Sequence, residues 1–336
     1  MSTSTALSFD HLALMSDDHG LFEHAERTTP RIEHGYCTDD NARLLVVACR
    51  EPDVGLQHQL VRRSLAFVVD AQARDGRVRN RMRADGRWTD RPTTNDCWGR
   101  SIWGLGVAAT HHVDPVVAER ARQSFDHAIQ RRSRWPRAMA FAALGAVDVL
   151  GVDPGDKPSR AFLIDALAAI GTIRAGTWSW PEPRLRYANA ALAEAVIAAG
   201  AAIDDIAAID RGLTMLAWLL ALETPRGHLS VVGVGGRGPR EEGPQFDQQP
   251  IEVAAMADAC WRAFVVTGDR TWSRGVATAA GWFMGDNDAG VPMYDAASGG
   301  GFDGLRSDGV NLNQGAESTL AFMSTMQRAR SFAGRL

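Results

Sequence analysis

Apolar residues recur at helical spacing along most of this chain, and the segments that carry them are of two kinds. In 38–50, 94–111, 136–150, 187–201, 250–267 and 313–330 the apolar positions run nearly all round the helix. In the segments between them they form one stripe. Leu60, Val61, Leu65, Phe67 and Val68 do so in 56–74, with Arg62, Arg63 and Asp70 opposite; Val117, Ala121, Phe125 and Ile129 do so in 115–132. Segments 159–172, 206–222 and 270–284 continue the alternation. A helix that is apolar all round is enclosed by other helices, whereas a striped one lies at the surface. Enclosed and surface helices taking turns therefore predict two concentric rings, an all-α (α/α)6 barrel or toroid, as a single domain over 1–336. One outer helix is expected to be irregular or supplied by the lead-in segment 1–34, which packs on the barrel. Two Asp-Gly pairs, Asp75-Gly76 and Asp85-Gly86, predict a small β-hairpin within 75–93.

The starts of the six enclosed segments share a chemistry. They read Thr38-Asp-Asp-Asn-Ala-Arg43, Thr94-Asn-Asp-Cys-Trp-Gly-Arg100, Trp135-Pro-Arg137, Tyr187-Ala-Asn189, Phe246-Asp-Gln-Gln-Pro-Ile-Glu252 and Asn311-Leu-Asn-Gln-Gly-Ala-Glu317. Parallel inner helices bring all six starts to one mouth, onto which the long connections 75–93, 172–186, 223–249 and 285–312 also open. Carboxylates, amides, arginines and indoles gathered at a mouth suit a sugar, whose rings stack on aromatic faces while polar groups take the hydroxyls. Two carboxylates flanking a glycosidic oxygen act as general acid and base. The candidate acids and bases are Asp40, Asp96, Glu182, Glu252 and Glu317, with Glu182 and Glu252 favoured because neither is needed as a helix cap. Candidate hydroxyl and ring contacts are Tyr36, Asp39, Asn41, Arg43, Trp98, Arg100, Trp178, Trp180, Tyr187, Asn189, Asp247, Gln248 and Gln314. The bland alternative is capping: Asp39, Asp40 and Asp96 sit where a helix start favours negative charge.

Composition narrows the classes. The chain has 336 residues, 45% of them hydrophobic, enough for a large buried core. It lacks a run of eighteen apolar residues, so no membrane span is expected. The opening Met-Ser-Thr-Ser-Thr-Ala has no basic and apolar leader pattern, which points to the cytoplasm. The net charge is −4 with signs interspersed, and arginine supplies nearly all the positive charge, Lys157 being the lone lysine. Such a surface disfavours nucleic acid. Cys37, Cys49, Cys97 and Cys260 are far apart and read as buried thiols; with no paired-histidine spacing either, no metal and no cofactor is expected. Gly233-Val-Gly-Gly-Arg-Gly238 lacks the ending of a phosphate loop and reads as a flexible lid.

Five stretches, Gly35–Arg43, Asp96–Gly106, Trp178–Asn189, Phe246–Glu252 and Gly301–Glu317, resemble the six-hairpin glycosidase superfamily. More narrowly, they resemble the (α/α)-barrel proteins associated with glycosyltransferases and sugar-processing enzymes. The resemblance implies the barrel and a carbohydrate substrate. The expected activity is that of a metal-independent, inverting glycoside hydrolase on an oligosaccharide. A sugar epimerase or isomerase, a polysaccharide lyase and a non-catalytic carbohydrate-binding domain are the alternatives. The epimerase alternative is disfavoured because no inner-helix start carries a histidine.

Overall fold

A computed structural model describes residues 7–51, 55–173 and 176–332. Residues 1–6, on which the expectation of a cytoplasmic protein rests, lie outside the described residues. The helices begin with a short α1 (Asp10–Leu14), then α2 (Thr38–Cys49), α3 (Leu56–Ala71), α4 (Asp96–His111) and α5 (Pro115–Ala128). There follow α6 (Pro136–Val152), α7 (Lys157–Ile170), α8 (Asn189–Ile203) and α9 (Ile206–Glu223). The last three are α10 (Pro250–Thr267), α11 (Arg270–Phe283) and α12 (Ala316–Arg330). The even-numbered helices pack in sequence, α2 on α4, α4 on α6 and onward to α12, which returns to α2 and closes the ring. Each odd-numbered helix from α3 to α11 packs outside the even-numbered helix before it. The fold is thus the (α/α)6 barrel.

Burial explains the two rings. Nearly every residue from Asn189 to Gly200 of α8 is buried, whereas α9 buries Ala208, Gly212, Met215, Leu216 and Leu219, one stripe. No helix follows α12 among the described residues. There the lead-in supplies buried Phe9, Leu12, Met15, Leu21 and Phe22, and the His11 ring bonds the Gln314 carbonyl at 2.8 Å.

Three helix starts fall later than the apolar pattern predicts. Asn95, just ahead of α4, is extended; Ala188, ahead of α8, is left-handed; and Gly315, ahead of α12, is extended. Both Asp-Gly turns form, with Gly76 and Gly86 at φ near +80° and +79°. The strand between them, Arg81–Met82, pairs with Tyr36–Cys37 ahead of α2. The turn segment is therefore stitched to the mouth, while Met82 also bridges Trp88.

α4 and α6 touch backbone to backbone. A Cβ on Gly145 would stand 2.3 Å from the Ile102 carbonyl oxygen, and one on Gly106 would stand 2.5 Å from the Gly145 carbonyl oxygen. Gly145→Ala gains helix propensity of about 1 kcal/mol, yet it should destabilise by about 1–3 kcal/mol because the helices must part. The check is the urea midpoint: an unchanged or raised midpoint at constant slope refutes the close approach.

At the end of the barrel away from the mouth, three inner helices meet in a buried ion cluster. Asp258 of α10 accepts from Arg328 Nε of α12 at 2.5 Å and lies 3.1 Å from Arg50, the residue capping α2. Ser324 donates to its other oxygen at 3.0 Å. Among the described residues no helix is long and apolar enough to cross a membrane.

Candidate functional site

A helix start leaves four backbone N–H groups without partners inside the helix. In this barrel the acceptors come from neighbouring segments. Asn80 Oδ1, from the turn segment, takes the amides of Thr38 and Asp39 at 3.1 and 3.3 Å. Glu252 of α10 takes the amides of Ala188 and Asn189 and the Asn189 side-chain amide. Asp303 takes the amide of Gly315 at 2.8 Å. Glu252 is therefore a cap, though for α8 and not for its own helix, while Asp39 and Asp40 are left for other contacts.

Above these starts opens a cavity of ≈ 780 Å³. From α2 it receives Asp39, Asp40 and Arg43, from α4 Arg100, from the approach to α8 Tyr187, from α10 Glu252 and from α12 Glu317. Arg100 Nη1 donates to Asp39 at 2.8 Å and lies 3.5 Å from Asp96, while its guanidinium sits 4.4 Å over the Phe141 ring. Asp96 in turn accepts from the Tyr187 hydroxyl at 2.8 Å. Arg43 reaches Asp40 at 2.5 Å through Nη1 and Glu317 at 2.6 Å through Nη2, so one guanidinium separates these two carboxylates. The Cys37 thiol donates to the other Asp40 oxygen at 3.0 Å.

The neighbouring aspartates titrate in opposite directions. Burial alone would raise Asp39, but Arg100 and Arg43 outweigh it and hold its carboxyl below the usual aspartate range. Asp40 is also buried, and with Glu317 pressing on it across Arg43 it is pushed up to about 6. Glu252 is pushed up to about 7 by burial, against the opposing effect of the amides it accepts. Such splitting between close carboxylates is how one site holds an acid and a base together.

The other sequence candidates are distributed around this centre. Glu182 is not among the cavity-lining residues; Arg137 Nη1 holds one of its oxygens at 2.8 Å and the other is buried without a partner. Asn189 accepts from Arg137 at 3.0 Å and helps order the start of α8. Tyr36 is buried, stacked on Phe22, and donates to Asp17 at 2.6 Å. Asn41 bridges Leu21 N and the Cys37 carbonyl. Gln248 joins Asp288 and Trp282, and Gln314 joins Ser298 and Asp295. Asp247 lies 3.8 Å from Arg306 and is raised by burial. Trp98, Trp178 and Trp180 are not among the cavity-lining residues. Trp98 packs on Phe162, and Trp178 and Trp180 pack on Trp218, because bulky indoles fill the seam between the rings.

Several lining residues escaped the sequence analysis: Glu23 and His24 from the lead-in, Arg81 from the turn segment, Arg184 and Arg186 before α8, and Asp303. With five arginines against six carboxylates, the cavity is nearly balanced rather than acidic. Arg81 was detectable as part of a mouth-facing connection, but His24 carries no periodic or motif signal. Its ring is edge-on to His34, and burial with that neighbour lowers its pKa. Val232–Gly236 forms one wall, tied down by Val234 N on the Asp247 carbonyl at 3.0 Å. One group among the described residues, Glu23, Cys37 and Asp40, brings possible metal-ligand atoms within 4.8 Å of one another. Arg81 and Arg43 already pair with its two carboxylates.

No family model matches the chain, and no curated protein matches its sequence. Solved structures do resemble it in fold. The cellobiose 2-epimerase of Bacillus thermoamylovorans has a TM-score of 0.72 at 8% identity, covering 94% of this chain and 95% of that one. A D-mannose isomerase has 0.64 at 11% identity, covering 96% and 94%. An inactive α-1,6-mannanase of Salegentibacter sp., with two successive aspartates replaced by alanine and an α-1,6-linked mannotetraose bound, has 0.63 at 11% identity, covering 94% of each chain. All three are (α/α)6 barrels, and their names describe carbohydrate-processing proteins.

Proposed function

We propose that this chain is a glycoside hydrolase that cleaves an oligosaccharide in the ≈ 780 Å³ cavity, with Asp40 as general acid and Asp39 as general base. The observation that carries the proposal is the pair of adjacent aspartates pushed to opposite sides of the ordinary carboxylate range. Asp40 gives its proton to the glycosidic oxygen as that oxygen leaves the anomeric carbon. Asp39 takes a proton from the water that attacks the opposite face, so the anomeric configuration inverts. Arg43 and Glu317 set the charge around Asp40, and Arg100 keeps Asp39 ionised. A mannanase of the same fold, inactive once two successive aspartates are removed, supports the choice of this pair over Glu182 and Glu252.

Epimerase or isomerase activity is the second reading. His24 favours it, since a lowered pKa leaves its imidazole neutral and able to take a proton beside a sugar carbonyl. So do the epimerase and isomerase barrels of the same fold. Proton NMR in deuterated buffer, with manno- and gluco-oligosaccharides, separates the two. Hydrolysis shortens the chain and shows the inverted anomer first. Epimerisation leaves the chain length unchanged and replaces the sugar's C2 proton with deuterium, whereas isomerisation leaves it unchanged and converts the reducing-end aldose to a ketose; either outcome would overturn the hydrolase proposal.

A further inference from the structure

Two aromatic rings at the rim have no part in the chemistry above. Trp135 is 44% exposed and Tyr187 45% exposed, and they introduce neighbouring inner helices, α6 and α8. Both are held the same way. The Arg134 guanidinium lies 4.4 Å from the Trp135 ring centre, and that of Arg137 lies 4.8 Å from the Tyr187 ring centre. The polar atom of each ring is also fixed. Trp135 Nε1 donates to Asn95 Oδ1 at 3.0 Å, and the Tyr187 hydroxyl donates to Asp96. These acceptors are consecutive residues, so the two rings are anchored to points about 3.8 Å apart along the backbone. Arg137, two residues after Trp135, closes the link by donating from Nε to the Tyr187 carbonyl at 2.5 Å.

An exposed indole forfeits the stabilisation that burial would give it, and rings pinned in place lose little freedom when a ligand arrives. Tyr187 lines the cavity and Trp135 does not, so the pair runs from the cavity outward across the rim. Flat, rigid faces flanked by amide, carboxylate and guanidinium groups match a pyranose ring, with its apolar face and its rim of hydroxyls.

We infer that Tyr187 and Trp135 form a sugar-stacking track, so that the substrate is a glycan chain extending beyond the cavity with its outer units on these rings. The inference rests on the carbohydrate reading of the cavity and adds chain length as the property the protein selects.

The test uses α- and β-linked manno- and gluco-oligosaccharides of two to six units with wild type, Trp135→Ala and Trp135→Phe, in calorimetry and in turnover. Wild type should bind and turn over the six-unit ligand better than the two-unit one. Trp135→Ala should cut that long-to-short ratio about tenfold, and Trp135→Phe should restore most of it. The same ratio in wild type and Trp135→Ala overturns the track. If wild type cleaves none of the ligands, the proposed reaction fails; binding that strengthens with length and is lost in Trp135→Ala then still supports the track. Binding to none of them overturns both.

Discussion

Asp40→Asn is expected to lower kcat on an oligosaccharide by about 10³-fold, within the range for loss of a general acid. The amide keeps the shape of the side chain but cannot deliver a proton. Arg43 would retain Glu317 as a partner, so the change should leave no orphaned charge and a near-normal unfolding midpoint. The pH profile gives an independent reading. The acid must be protonated, and Asp40 sits at about 6, so wild-type kcat should fall as pH rises through about 6. The base must be ionised, and Asp39 is held below the usual aspartate range, so the acid limb should lie below that range as well. In Asp40→Asn the fall near 6 should vanish from the residual activity. A variant that keeps more than about a tenth of the activity would place the donor elsewhere in the cavity.

Asp258→Ala should be the most damaging single change to stability, costing about 3–5 kcal/mol. It removes the carboxylate shared by Arg50 and Arg328, two cations that already oppose each other. Burial and that opposition lower Arg50 to about 10. Burial would raise Asp258, but Arg50 and Arg328 outweigh it and hold its pKa below the ordinary value. Its stabilisation should therefore be complete above the ordinary aspartate pKa and fade as pH falls through the lowered folded value. Chemical denaturation of wild type, Asp258→Ala and Asp258→Asn at neutral pH decides the matter. A shift below about 1 kcal/mol in the alanine variant would mean that the cluster is not sealed from water.

The barrel was readable because burial imposes a period on the residues themselves. α8 is apolar all round for the same reason that it is surrounded. The starts of α8 and α12 were less readable, because Glu252 and Asp303 cap them from other segments, and no local pattern records a partner in space. The same fact reshaped the site. Glu252 looked uncommitted because its own helix has no need of it, whereas it accepts from α8. Glu182 was likewise free of any capping duty, yet Arg137 holds one of its oxygens. The motif Thr38–Arg43 did announce a charged centre, but its division into a low and a high carboxylate depends on Arg100, sixty residues away, and Glu317, near the other end of the chain. His24 gave no signal because a loop residue acquires its surroundings only when the ring closes over it.

That ring is closed by α12 against α2, the last and the first of the inner helices. Gln327 of α12 donates to the Val47 carbonyl of α2 at 2.8 Å, and Arg43 joins Glu317 across the same seam. During synthesis α2 emerges before α12, so Arg43 waits for Glu317 until α12 has been made. Domains generally fold as units, and contacts between distant segments form late because of the entropy of closing long loops. A chain that has not yet reached α12 would thus carry the complete Thr38–Arg43 motif with Arg43 short of one partner and no finished cavity, a state open to proteolysis. Assembly of the charged centre and docking of α12 on α2 become one event.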